Sequence, residues 1–140
     1  MPSAASIEIA APAEKVWTML VSTRDWPAFD PFTVRVEGGK PAEGVRLRHT
    51  STLDPERPFT ARVTIFSPPW RMVWTGRRLP FGLLNRTRTF TVEENGRDNC
   101  RVELREEFSG PMRRVMARAL PDMSEAFEGF CRGLKELAEA

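Results

Sequence analysis

The sequence has little sulfur and almost no imidazole: two cysteines, Cys100 and Cys131, and one histidine, His49, in 140 residues. No CxxC pair and no Cys/His cluster occurs, so no zinc or iron–sulfur centre and no other cofactor is expected. Two lone thiols make no disulfide framework, and reduced thiols fit a cytoplasmic setting. No stretch reaches the ~18 apolar residues of a transmembrane helix. The opening MPSAASIEIAAP lacks a basic start followed by an apolar run, so no signal peptide is expected. The net charge is only +2 and basic residues are not interleaved with exposed aromatics, which argues against nucleic acid as a partner. A phosphate-cradling glycine loop and a GxSxG elbow are both absent.

What is present is ordinary for a soluble globular chain: 41% hydrophobic and 29% charged residues, at a length that fits one domain over 1–140. The charge is uneven. Residues 71–118 hold 11 arginines against 6 acids. Such an excess suits an anionic ligand, and it equally suits a solvated sheet face, because Arg101, Glu103, Arg105 and Glu107 alternate along one strand.

Periodicity divides the chain into elements. Ser6–Ala10 reads as a short strand. Pro12 stands where a helix begins, and Ala13, Val16, Trp17 and Leu20 form one apolar stripe. Asp25-Trp26-Pro27 and Asp30-Pro31 make 23–31 a short helix or turn. From Phe32 the period changes to two. Phe32, Val34 and Val36 share a face, as do Val45, Leu47, His49, Ser51 and Leu53, then Phe59, Ala61, Val63 and Ile65, then Met72 and Trp74. Strands near 85–94 and 100–108 flank the turn Asn95-Gly96-Arg97-Asp98-Asn99. Short strands joined by tight turns favour an antiparallel meander. Met116, Leu120, Met123, Phe127, Phe130, Leu134 and Leu137, spaced by four and three, predict one long helix over 112–139, bent at Pro121.

Matching the apolar faces of the last two strands sets Val92 opposite Val102, Phe90 opposite Leu104, Arg88 opposite Glu106 and Arg86 opposite Phe108. A slip of one residue would turn the apolar set outward. Arg88 and Glu106 therefore face inward and are expected to pair, either as a structural ion pair or as the anchor of a ligand. His49 is a candidate ligand donor or base, or a hydrogen-bonded core residue. Trp74, Met123, Phe127 and Phe130 line a cavity or fill a core. Ala126, Gly129 and Gly133 form a small-residue strip on the last helix, read as leaving space for a ligand or a second subunit in a homodimer. Pro80-Phe81-Gly82-Leu83-Leu84 reads as a lid, a core cover or a contact surface.

The opening IEIAAPAEKVWTMLVSTRDWPAFDP, the middle PPWRMVWTGR and the hairpin TFTVEENGRDNCRVELREEFSGPM resemble the START-like superfamily, also called SRPBCC or polyketide-cyclase/dehydrase-like proteins. The resemblance implies an α+β helix-grip fold: a curved antiparallel sheet of about seven strands around a long C-terminal helix. Related sequences often carry a histidine two residues before the phenylalanine of the sixth strand; this chain has Arg88 there, so no imidazole serves that position. Three functions remain open. The first is binding or transport of a small hydrophobic or amphipathic ligand at His49, Trp74, Arg88, Glu106, Met123, Phe127 and Phe130. The second is a cyclase- or dehydratase-like enzyme using the same pocket. The third is a protein-interaction module resembling chaperone activators.

Overall fold

The computed structural model describes residues 3–140. Strand β1 (Ser3–Ile9) leads into helix α1 (Ala13–Val21), a 3-10 turn (Thr23–Ala28) and strands β2 (Thr33–Glu37), β3 (Arg46–Ser51), β4 (Phe59–Ser67), β5 (Arg71–Leu79), β6 (Leu84–Glu94) and β7 (Cys100–Ser109). Helix α2 (Arg113–Met116), a 3-10 turn (Ala117–Ala119) and helix α3 (Ser124–Glu139) complete the chain. The seven strands form one antiparallel sheet in the order β1-β7-β6-β5-β4-β3-β2. The sheet curls around α3, which packs on β1 and α1.

The β6–β7 register is the one set by the apolar faces. Val92 pairs with Val102, Phe90 with Leu104, Arg88 with Glu106 and Arg86 with Phe108. Along both strands burial alternates with period two, so each inward residue is fixed by its neighbours. In α1 the stripe Ala13, Val16, Trp17 and Leu20 is buried as expected, with Pro12 as the residue just before the helix.

Several expectations are corrected. The segment 112–139 is not one bent helix. Leu120 is extended (φ −80°, ψ 136°), because the ring of Pro121 crowds the preceding residue out of the helical region and supplies no N–H. The chain therefore breaks, and α3 starts anew after Met123, whose N–H is held by Ser3 Oγ at 2.9 Å. At the far end of α3 the buried residue is Ala138, while Leu137 is half exposed; a four-three stripe advances by 3.5 residues per turn and drifts off a 3.6-residue helix. In β2, a register shift between Thr33 and Arg35 turns Thr33 inward and Val34 outward. A second shift, between Val63 and Ile65, leaves Ile65 partly exposed.

The small strip on α3 leaves no open space. A Cβ on Gly129 would lie 2.5 Å from the ring of Phe32, and one on Gly133 would lie 1.8 Å from the carbonyl oxygen of Phe29. These glycines let the Phe29–Phe32 segment of the same chain lie directly on the helix, which seats the 3-10 turn and its Trp26 against the core.

Candidate functional site

Arg86 and Arg88 stand two residues apart on β6, so both side chains point to the concave face. Glu106 reaches them from β7. Its Oε1 lies 3.0 Å from Arg86 Nε and its Oε2 lies 2.8 Å from Arg88 Nη2. Arg88 Nε donates to Oε2 at 2.9 Å. All three residues are buried, Glu106 completely. Their platform is Phe59 on β4. The Arg86 and Arg88 guanidinium carbons sit 4.5 and 5.0 Å from its ring centre, with Phe108 behind Arg86 and Phe127 behind Arg88. Gly76 makes that platform possible, since a Cβ there would meet the Phe59 ring at 2.6 Å.

The row continues across the sheet. Arg88 Nη1 lies 2.8 Å from His49 Nδ1, and His49 Nε2 lies 2.9 Å from Thr33 Oγ1. Thr33 donates in turn to Asp30 Oδ2 at 2.5 Å. A guanidinium only donates, so Nδ1 of His49 accepts and the ring proton sits on Nε2. The direction of each bond follows: Arg88 to His49, His49 to Thr33, Thr33 to Asp30. Burial holds His49 well below its usual value, and the Arg88 and Arg86 charges push the same way, so the ring is neutral. Burial raises Asp30, against the bonds from Thr33 and the Phe32 N–H and the charge of Arg88.

The row is not fully satisfied. Arg86 Nε, Arg88 Nη2 and Glu106 Oε1 are at ion-pair distance but lack a well-directed hydrogen bond. Nε and Nη2 of Arg88 both lie on the same carboxylate oxygen rather than forking across two.

Two small clefts flank this row, each with a volume of about 10 Å³, room for one water. The first is lined by His49, Arg88, Met123, Phe127 and Phe130 with Trp26 and Asp30. The second touches His49, Arg86, Arg88, Arg57 and Pro121, and again Met123. His49, Ser51, Arg88 and Met123 are thus shared by the two. Of the residues singled out from sequence, the fold brings His49, Arg88, Met123, Phe127 and Phe130 around one space. Glu106 stands behind the arginines, and Trp74 lies one layer back, stacked on Trp26 at 5.4 Å with an interplanar angle of 5°. Sequence reasoning did not place Trp26, Asp30, Thr33 or Arg86 in the site. Only Arg86 left a signal there, as the second inward arginine of β6. Segment 80–84 is the β5–β6 turn, with Leu84 in the core and Phe81 in solvent.

Cys131 is buried with its thiol pushed up to about 12, chiefly by burial, and takes no part in the row. Among the described residues no cluster of His, Cys, Asp or Glu is arranged to hold a metal, and no helix is long and apolar enough to cross a membrane.

A curled antiparallel sheet gripping a C-terminal helix defines the helix-grip class. The chain belongs to the polyketide cyclase / dehydrase and lipid transport family, whose sequence model matches residues 3–139. Among curated proteins none matches the chain by sequence. Solved structures share its fold. A hypothetical protein from Helicobacter pylori superposes with a TM-score of 0.79 at 17% identity, covering 99% of this chain and 88% of its own. The Zhui aromatase/cyclase from Streptomyces sp. R1128 gives 0.75 at 16% identity, over 99% and 93% of the two chains. Norcoclaurine synthase from Thalictrum flavum, in complex with dopamine and hydroxybenzaldehyde, gives 0.70 at 16% identity, over 98% and 85%.

Proposed function

We propose that the protein binds a small, mostly apolar molecule between the sheet and α3, and that Arg88, with Arg86 beside it, holds an acceptor group of that molecule. The observation that carries this reading is the set of buried donors on Arg86 and Arg88 that lack directed partners. Both atoms already face the Glu106 carboxylate at 3.0 and 2.8 Å, and a ligand oxygen would add the directed hydrogen bond that this ion pair does not supply. His49 and Glu106 fix the guanidinium of Arg88; Phe127, Phe130 and Met123 supply apolar walls, with Trp74 supporting Trp26 from behind. His49, Ser51, Arg88 and Met123 border both clefts, and of these Met123 is the unbranched apolar side chain whose movement would enlarge the space for a ligand.

The test uses 8-anilinonaphthalene-1-sulfonate, an aromatic anion, with native mass spectrometry of the protein purified from its source. Met123→Ala removes the apolar side chain common to both clefts. It is expected to cost about 2–5 kcal/mol of stability and to bind the probe more tightly at one site per chain. Absence of any co-purified small molecule, together with no probe binding by wild type or variant, contradicts the proposal.

A second reading, cyclase- or dehydratase-like catalysis, has one observation in its favour: Asp30 borders the first cleft and burial raises its carboxyl, as an acid catalyst requires. The family description and the aromatase/cyclase of similar fold are compatible with it. The interaction-module reading draws on the small interior and on the exposed turn at Phe81.

A further inference from the structure

We infer that the end of the molecule formed by the β5–β6 turn and α2 docks on an anionic lipid surface. The inference is independent of what the interior binds. Phe81 is 92% exposed and has a φ of 59°. A bulky side chain is disfavoured in that left-handed conformation, where glycine or asparagine sits more easily. The fold gains nothing from Phe81: its ring meets solvent, and the turn is held by backbone bonds from Leu83 N to the Pro80 carbonyl and from Met112 N to the Leu83 carbonyl. The second bond ties the turn to the approach of α2. Leu83 is partly exposed, and Val115 on α2 is 74% exposed.

Arginines predominate around these apolar groups. Residues 77–92 and 108–121 contain no Asp or Glu. Arg77, Arg113, Arg114 and Arg118 make no ion pair among the described residues. Of the acids near this end, Asp54 and Glu107 are paired with arginines and Asp122 stays charged. Asp54 lies 3.7 Å from Arg78, Glu107 lies 2.8 Å from Arg105, and Asp122 accepts from Ser3 and Ser124. A groove of about 690 Å³ runs beside α2, lined by Arg113, Arg114, Phe108 and Leu120 and also by Glu107 and Asp122. Projecting apolar groups on the same turn and helix as unpaired arginines suit the boundary between anionic headgroups and acyl chains. An acidic protein would match the charge but would need a fitted apolar pocket for Phe81, whereas a lipid interface needs none.

Vesicle flotation of the whole chain tests the proposal, comparing phosphatidylcholine alone with a two-to-one mixture of phosphatidylcholine and phosphatidylglycerol. The protein is expected to float with the anionic vesicles and to be released by salt. Phe81→Gly, which suits the backbone at that position, should weaken binding about tenfold or more with the fold intact by circular dichroism. Arg113→Glu with Arg114→Glu should weaken it by at least about tenfold. No flotation with anionic vesicles overturns the proposal, as does unchanged binding by both variants. Retention on heparin without vesicle binding also overturns it and assigns the cationic end to a soluble polyanion.

Discussion

Trp26, Trp74, Phe90 and Phe130 meet in one part of the interior, with ring centres 4.8–5.8 Å apart. Beside them, with His49 edge-on to Trp26 at 5.6 Å, runs the charged row of Arg86, Glu106 and Arg88. The aromatic cluster has its polar atoms satisfied: Trp26 Nε1 donates to the Leu20 carbonyl and Trp74 Nε1 to the Met72 sulfur. The charged row is equally buried yet keeps donors and an acceptor without aligned partners. The same sheet and the same helix bound both regions. Packing alone accounts for the first. The second costs desolvation that a purely structural ion pair does not repay well, which is why we place the ligand anchor there.

The largest expected effect breaks the charged row. Glu106→Leu leaves two buried guanidinium groups without their carboxylate and should cost about 4–5 kcal/mol in denaturant unfolding. A loss below about 1 kcal/mol would mean that water already screens the row. Trp26→Ala should cost about 3–4 kcal/mol through the cavity it leaves. It should also weaken the pH dependence of stability, because Trp26 helps to bury His49 and Asp30, whose shifts come chiefly from burial.

The smallest effect concerns His49. The unfolded ring takes up a proton near 6.5, and the folded ring does so only well below that. Between the two values the unfolded state binds more protons, so stability falls as the pH drops below about 6.5, by up to about 1.4 kcal/mol per pH unit. Asp30, raised from 3.8, works the other way: its contribution is present at low pH and is lost as the pH rises through its folded value. His49→Gln should abolish the loss below 6.5 and leave the Asp30 contribution in place. Unfolding curves at a series of pH values separate the two.

Where one period held, the sequence was readable in detail. The β6–β7 pairing, the Arg88–Glu106 row and the α1 stripe follow from alternation at two and from the three-four spacing. Where the backbone departs from a period, the reading failed. Thr33 faces His49 only because of the shift in β2, and Asp30 and Trp26 sit in a proline-rich turn with no periodicity to orient them. The α3 glycines were read as open space because spacing shows that a gap is allowed but not what fills it; the Phe29–Phe32 segment does. Pro121 ended a helix instead of bending it, although the apolar phase continued on both sides.

The most direct test of the anchor is a crystal structure of the protein with its co-purified or probe ligand. The account predicts the ligand between the sheet and α3, with Met123 displaced and a ligand oxygen within hydrogen-bond distance of Arg88 Nη2 or Arg86 Nε. A ligand lodged only in the outer groove along α2, with Met123 and the charged row unmoved, would contradict it.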